Sequence, residues 1–418
     1  LTNRAKNAAK PLRCIHFLRR FANERICRFH KGKRGNSLKL ELMNYFSYDV
    51  KTATCSAFVQ QREKILPEAL EYLFHKFTST SINPNYYDGY RMLAVDGSDL
   101  CIAHNPKDTE SYFHATENTK GFNLLHLNAM YDLYSRVYVD AIVQPGKKKN
   151  KFQALTDMVD RSDIKDKTIL IADRGYESYN VFEHIAKKGW KYVIRVKDIN
   201  SNGITSGLSL SDEKEFDMKY SILLTRRQTK EIKANPEKYK FMPANQNFDY
   251  LPVGDKGNYQ MNFRIVRFAI AENAYEVIIT NLPKDEFPPE AIKEIYHMRW
   301  GIETSFRELK YAIGLTNFHS KKVPYIIQEI FARLTMYNFC EIITTHVVIK
   351  QKDRKYNYQV NFTVAISVCL YYFKCKDAEL PPNVEALIQK NILPIRNGRK
   401  DCRRVKTKSV VSFIYRVA

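Results

Sequence analysis

The spacing of apolar and polar positions divides the chain into a helical opening, a strand-rich middle and a helical close. Up to about Tyr90 the spacing is helical: a basic stretch gives way to SLKLELMNYF and then to SAFVQQREKILPEALEYLFHKF, where Phe58, Ile65, Leu70 and Leu73 recur near helical intervals. Ser56 stands where a cap for that second helix belongs, and the Asn83-Pro84-Asn85 turn marks a boundary. Beyond it, RMLAVDGSDL holds a short apolar run ending in Asp96, and LLHLNAMYDLYSRVYVDAIVQP reads as two strands joined by a turn at Asp132 to Ser135. FQALTDMVDRSD is helical, TILIADRGY is a buried strand ending in Asp173, YNVFEHIAKKG is a helix closed by Gly189, and WKYVIRVKD is the next strand. Three antiparallel strands followed by alternating strand and helix predict a mixed α/β sheet with helices on both faces. Both Asp96 and Asp173 leave the carboxyl ends of apolar strands, the edge where open α/β sheets collect their ligands.

From about Asn200 to Phe287 the helical signal fades, and KYSILLTRRQ, NFRIVRFAIAE and AYEVIITNL look like strands between turn residues such as Gly203, Gly207, Pro236, Pro252 and Gly254. This predicts a β-rich insertion inside the α/β domain. DEFPPEAIKEIYHMRW restarts the helix with Pro288 and Pro289 near its first turn, and IIQEIFARLTMYNFCEIITTHVVIK continues in helix. The expected divisions are a helical basic region at 1–90, a first core part at 91–199, the insertion at 200–287, a second core part at 288–345, and a basic C-terminal region at 346–418 that ends in the stretch Arg396 to Lys408.

Within the second core part, YHMRWGIETSFRELK brings Tyr296, Arg299, Glu303 and Lys310 onto one helical stripe, roughly 60° wide at about 100° per residue. Ile295, Ile302, Phe306, Leu309 and Ile313 form a separate apolar stripe on the same helix. A carboxylate flanked by two cations and a phenol suits a metal ion held against a nucleic-acid phosphate, and it is equally the makeup of an amphipathic helix with intrahelical ion pairs.

Charge turns that choice towards a polyanion. The 418 residues carry 67 Lys and Arg against 45 Asp and Glu, a formal net charge of +22, while 44% hydrophobic and 13% aromatic residues describe a folded globule rather than a basic tail. Nucleic acid is the first candidate partner, and the basic helical region before the core is well placed to grip it. The longest apolar run, around Phe362 to Phe373, is interrupted by Thr363 and Ser367 and is too short to cross a bilayer, and LTNRAKNAAKPLRC lacks the apolar core of a secretory signal. No membrane partner and a cytoplasmic location, associated with the nucleoid when on DNA, are therefore expected. The eight cysteines contain no CxxC pair. Cys14, His16, Cys27 and His30 could supply a zinc set, but their spacing matches no usual finger, and the intervening arginines favour a basic helix.

Asp96, Asp173 and Glu303 are far apart in the chain and meet only if the fold gathers them. Converging carboxylates repel unless a cation sits among them, and oxygen-only ligands select a hard ion such as Mg²⁺ or Mn²⁺. Two such ions roughly 3.5–4 Å apart can clamp the attacking and leaving oxygens of a phosphodiester displacement. Arg299 can fork onto two phosphate oxygens, Lys310 can act as a point charge, and Tyr296 can donate to a phosphate or stack on a sugar or base.

Tyr296, Arg299, Glu303 and Lys310 reproduce the Y(2)R(3)E(6)K signature, and the chain resembles the DDE transposases of the insertion sequence 4 group. DGSDL around Asp96 is similar to that family's first acidic motif, ADRGY around Asp173 to its second, and SAFVQQREK to a segment upstream of the first acid. The resemblance covers roughly Ala53 to Asn338. It implies a ribonuclease-H-like core with a β-strand insertion before the glutamate, and Asp96, Asp173 and Glu303 as ligands of two Mg²⁺ or Mn²⁺ ions. Implied partners are double-stranded DNA, both the element's terminal inverted repeats and the target, with a dimer in the synaptic complex. The implied reaction is cut-and-paste transposition: water attacks the phosphodiester at the element's end, the freed 3′-hydroxyl attacks next, commonly through a hairpin, and then joins the target. Family members flip a base near the cut onto an aromatic ring, for which Trp300 or a Tyr or Phe of the insertion would serve here, Trp190 being the other tryptophan. The alternative is a catalytically silent DNA-binding protein that keeps the same basic surface.

Overall fold

The apolar runs of the middle region pair into one large mixed sheet, seen in a computed structural model that describes residues 37–116, 120–199, 201–347, 349, 356–374 and 382–395. The Cys14, His16, Cys27 and His30 cluster, the basic stretch around it and the basic tail Arg396 to Lys408 lie outside the described residues.

Among the described residues three helices come first: α1 (Leu38–Tyr45), α2 (Cys55–Glu63) and α3 (Glu68–Ser81). One helix was expected where α2 and α3 stand. Pro67 parts them, since proline has no N–H to continue the ladder and disfavours helical backbone at the residue before it. The cap of α2 is Thr54 and not Ser56, its hydroxyl accepting from the Ala57 N–H at 3.1 Å.

The next strands and helices are β1 (Arg91–Ile102), β2 (Tyr112–Phe113), β3 (Phe122–Asp132), β4 (Val137–Pro145), α4 (Lys151–Asp160), β5 (Thr168–Ala172), α5 (Tyr179–Lys187) and β6 (Lys191–Val196). β3 lies antiparallel between β1 and β4, while β1, β5 and β6 run parallel. β1 does not stop at Asp96. It continues to Ile102 because β3 pairs with it as far as Ile102 opposite Asn123, after β5 has ended at Ala172 opposite Val95.

Residues 200–287 contribute β7 (Phe216–Thr225), the short α6 (Lys230–Ala234), β8 (Tyr239–Phe241), β9 (Asn258–Ala271) and β10 (Ala274–Thr280). Rather than forming a sheet of their own, these strands extend the existing one in the order β6-β10-β9-β7-β8, with β10 antiparallel to β6. The chain then enters α7 (Pro289–Met298), α8 (Trp300–Tyr311) and α9 (Val323–His346), followed by a small unit of β11 (Tyr358–Val360), α10 (Phe362–Lys374), α11 (Val384–Lys390) and β12 (Ile392–Pro394).

Side-chain alternation along β1 and β5 distributes the core between two faces. Leu93, Val95, Leu170 and Ala172 pack with Leu155, Met158, Val181, Phe182 and Ile185 of α4 and α5. On the opposite face Ala94 joins Leu70, Phe74 and Phe77 of α3, Ile302 and Leu309 of α8, and Ile330 and Tyr337 of α9. Met92, Ile169 and Ile171 meet Ile292 and Ile295 of α7. A mixed sheet covered by helices on both faces is thus present. No helix of the described residues is long and apolar enough to cross a membrane.

Candidate active site

Asp96 and Asp173 are neighbours because their strands are. Val95 of β1 sits in register with Ala172 of β5, so the two acids follow at the same level on adjacent parallel strands. Each is braced by the backbone just after it, Asp96 Oδ1 accepting from the Gly97 N–H at 2.7 Å and Asp173 Oδ1 from the Gly175 N–H at 3.0 Å. Burial raises the pKa of Asp96, the Gly97 N–H pulls it back, and the Asp173 carboxylate nearby adds to the rise. Tyr176, one turn after Asp173, is buried beside both acids, and its hydroxyl has no hydrogen-bond partner among the described residues.

The third acid arrives from α8, on the face of the sheet that Ala94 also meets. The signature segment is not one straight helix: it turns at Arg299, where the Arg299 N–H reaches the Tyr296 carbonyl and the Ile302 N–H reaches the Arg299 carbonyl, both at 3.1 Å and both over three residues. That tight turn divides the apolar stripe, sending Ile295 into the cluster over β5 while Ile302, Phe306, Leu309 and Ile313 enter the α3, α8 and α9 cluster. It also leaves Glu303 in the first turn of α8, one turn from Arg299.

Arg299 joins the acids. Its side chain is only 8% exposed; Nη2 donates to Glu303 Oε1 at 2.8 Å, and Nη1 lies 3.8 Å from Asp96 Oδ2. The guanidinium also sits 5.8 Å from the Tyr296 ring centre and 5.4 Å from that of Trp300. Tyr296 is buried, which raises the pKa of its phenol, with Arg299 and Arg195 near it. Trp300 is 48% exposed beside this group, whereas Trp190 is buried in the core. Lys310 stands apart from the acids: its ammonium donates to the Asp99 carbonyl at 3.3 Å, and burial lowers its pKa.

The arrangement is therefore two carboxylates side by side and a third reached through a guanidinium. Among the described residues no three of His, Cys, Asp and Glu gather closely enough to hold a metal ion between them. Two further features had no place in the sequence-based site. His126 Nδ1 lies 2.5 Å from Asp99 Oδ1, its ring pressed against Gly97, and Lys151 reaches over the Tyr176 ring at 5.4 Å. The lysine run that holds Lys151 was visible in the sequence; the approach of its side chain to Tyr176 was not.

A family model described as the transposase DDE domain matches residues 87–339. Over 72 residues, 17% of this chain, there is 35% identity to the transposase for insertion sequence element IS421 of Escherichia coli and to the InsL protein of insertion sequence element IS186A of Escherichia coli strain K12. The matched stretch spans 19% and 20% of those two chains respectively. Among solved structures, the piggyBac transposase synaptic complex with hairpin DNA aligns over 91% of this chain and 77% of that one, at 12% identity and a TM-score of 0.46.

Proposed function

Because this chain belongs to the family of transposase DDE domains, we propose that it cuts and joins DNA at the ends of an insertion sequence, by the cut-and-paste route of the insertion sequence 4 group. The observation that carries the reading is the placing of Asp96 and Asp173 at one level, just where the pairing of β1 with β5 ends, with Arg299 tying Glu303 to the same spot. Acids at the carboxyl ends of a mixed sheet with helices on both faces support a ribonuclease-H-like core, and strands β7 to β10 support a β-rich insertion before Glu303.

The residues fit a divalent cation. Asp96 and Asp173 offer hard oxygen donors whose mutual repulsion Arg299 and Lys151 offset only from the side, and the unpartnered Tyr176 hydroxyl beside them can bond to a hydrated ion. Asp96, Asp173 and Glu303 would hold Mg²⁺ or Mn²⁺, which when bound supplies Lewis acidity at the phosphodiester and offsets charge on the attacking and leaving oxygens. Arg299 has a double role. In the free protein its fork steadies Glu303 and Asp96; when the two forks meet phosphate oxygens instead, Glu303 is released towards the other acids. Tyr296 backs the guanidinium from behind, and Lys310 contributes charge from the flank. Trp300, exposed next to Arg299, is the aromatic surface on which a flipped base would stack. DNA with inverted-repeat ends is the partner, and two protomers hold a pair of ends.

The test is a Mg²⁺-dependent nick at an inverted-repeat end. Glu303→Gln is expected to abolish it while leaving duplex binding intact. If the protein binds those ends but wild type and Glu303→Gln cleave equally little, the chain is a silent DNA-binding protein and the enzymatic reading fails.

A further inference from the structure

Between β4 and α4 the chain reads Gly146-Lys147-Lys148-Lys149-Asn150-Lys151, a dense run of cations on a fixed backbone. The Lys147 N–H donates to the Glu110 carbonyl at 3.1 Å. Gln144 Oε1 accepts from the Asn150 N–H at 3.0 Å and from Asn128 Nδ2 at 3.2 Å, and the Asn150 side chain caps α4 through the Gln153 N–H at 3.1 Å. These bonds hold the lysine backbone in place before any ligand arrives, so little ordering remains to oppose binding.

The four ammonium groups are unevenly matched. Lys148 pairs with Glu110, and Lys149 lies 3.7 Å from Asp99 Oδ1, a carboxylate it shares with His126. Lys147 and Lys151 have no carboxylate within ion-pair distance among the described residues; their ammonium groups lie 6.0 Å over the Phe113 ring and 5.4 Å over the Tyr176 ring. Tyr176 is the residue buried beside Asp96 and Asp173, so the row runs from the surface at Lys147 to the edge of the acid pair at Lys151. An ordinary solvated surface run would scatter its charges away from the acids. This one leads inward, and its innermost cation, Lys151, acts on Asp96 without closing an ion pair with it.

We propose that Lys147, Lys149 and Lys151 hold successive backbone phosphates of the DNA strand entering the acid pair, with Lys151 on the phosphate next to the one cut. The proposal rests on the transposase reading of the same site and adds the path of the strand to it. Phosphate contacts of this kind set register and orientation and carry no base sequence information. Each one releases counterions, which makes it measurable through salt.

The experiment is binding of the full chain to a DNA duplex of arbitrary sequence between low and moderate salt, for wild type, Lys147→Gln, Lys149→Gln, Lys151→Gln, the triple Gln variant and the three Lys→Arg variants. Each single Gln change is expected to reduce the magnitude of the slope of log affinity against log salt by about 1, the triple change by about 3, with Arg restoring the wild-type slope. Thermal midpoints identify any variant that is misfolded; the single changes at the exposed Lys147 and Lys149 carry the test if the triple variant is. A salt-dependent wild type whose Gln variants keep the same slope overturns this strand path while leaving the transposase reading in place. A wild type that shows no salt-dependent duplex binding removes the transposase reading and this inference with it.

Discussion

Gly97 shows how little freedom the acid pair has. A Cβ built there would lie 2.4 Å from His126 Nε2 and 2.8 Å from its Cε1, closer than carbon tolerates. The ring cannot retreat, because His126 is 2% exposed and its other nitrogen is engaged by Asp99. Glycine is therefore required by close approach rather than by a turn, and it lets the strand carrying Asp96 lie flat against β3. Gly97→Ala is expected to cost roughly 1–3 kcal/mol of stability, the usual penalty of overpacking. Removing the obstructing ring in Gly97→Ala/His126→Ala should recover part of the loss. Urea midpoints of the two variants decide it: equal stability of Gly97→Ala and wild type would mean that the ring has room after all.

At the scale of elements, the question is what docks the first helices onto the rest of the fold. Arg62 of α2 is 4% exposed and reaches α9, donating from Nε to Gln328 Oε1 at 2.9 Å, from Nη1 to Glu329 Oε1 at 3.2 Å, and from Nη2 to the Tyr325 carbonyl. Glu329 is fully buried and also accepts from the backbone N–H groups of His319 and Ser320, each at 3.0 Å. This gives the SAFVQQREK segment a structural purpose, since its arginine fastens α2 to the helix that follows the signature. Arg62→Ala is expected to cost about 3 kcal/mol, because the buried Glu329 loses one of its two arginines, Arg333 at 3.4 Å being the other, while its desolvation remains. A thermal midpoint within a degree of wild type would contradict that account.

The same elements show what could be read in advance. The strands that carry Asp96 and Asp173 were legible because each is an apolar run with one acid after it, and Gly189, which has a φ of +80°, ended its helix where expected. The turn at Arg299 was not: Gly301 stands two residues on, but a lone glycine inside a helical pattern does not by itself mark a break. The turn arises from tertiary packing, with α7 lying over β5 and α8 against α3 and α9. Thr54 rather than Ser56 at the cap is a slip of half a turn between two competent hydroxyls. The Arg62 contacts join residues more than two hundred and fifty positions apart, a distance over which periodicity says nothing. Of the site, residue types and the end of β5 before Asp173 could be read; the continuation of β1 past Asp96 and the guanidinium between Glu303 and Asp96 could not, because one follows from pairing with β3 and the other from the turn at Arg299.

For the molecule as a whole, the sheet is continuous from β4 across β1 to β8, and the helices of one face knit to it through polar groups as well as apolar ones. The clearest case is Glu341 of α9, with a side chain 1% exposed. Arg136, in the β3–β4 turn, donates to its Oε1 at 2.9 Å, and Thr344 donates to its Oε2 at 3.1 Å. Burial dominates, however, and raises its pKa to about 7 from the ordinary 4.5, against the pull of Arg136 and with the nearby Glu308 adding to the rise. The sign follows from proton counting: between those two values the folded protein keeps the proton and the unfolded chain has lost it, so raising the pH favours unfolding. Stability from this group is fully present below about pH 4.5, declines as pH rises, and is gone above about pH 7, an amount on the order of 3 kcal/mol. Glu341→Gln keeps an acceptor for Arg136 and cannot ionise. Urea unfolding at pH 5 and pH 8 should therefore show a smaller loss for Glu341→Gln than for wild type, while parallel losses in the two proteins would assign the pH dependence to other groups. Because Arg136 directly precedes β4, which pairs with β3 and through it with β1 beside Asp96, the same titration reaches the sheet, and any loosening of α9 near neutral pH is expected to appear as weaker protection of the β3–β4 turn in hydrogen exchange.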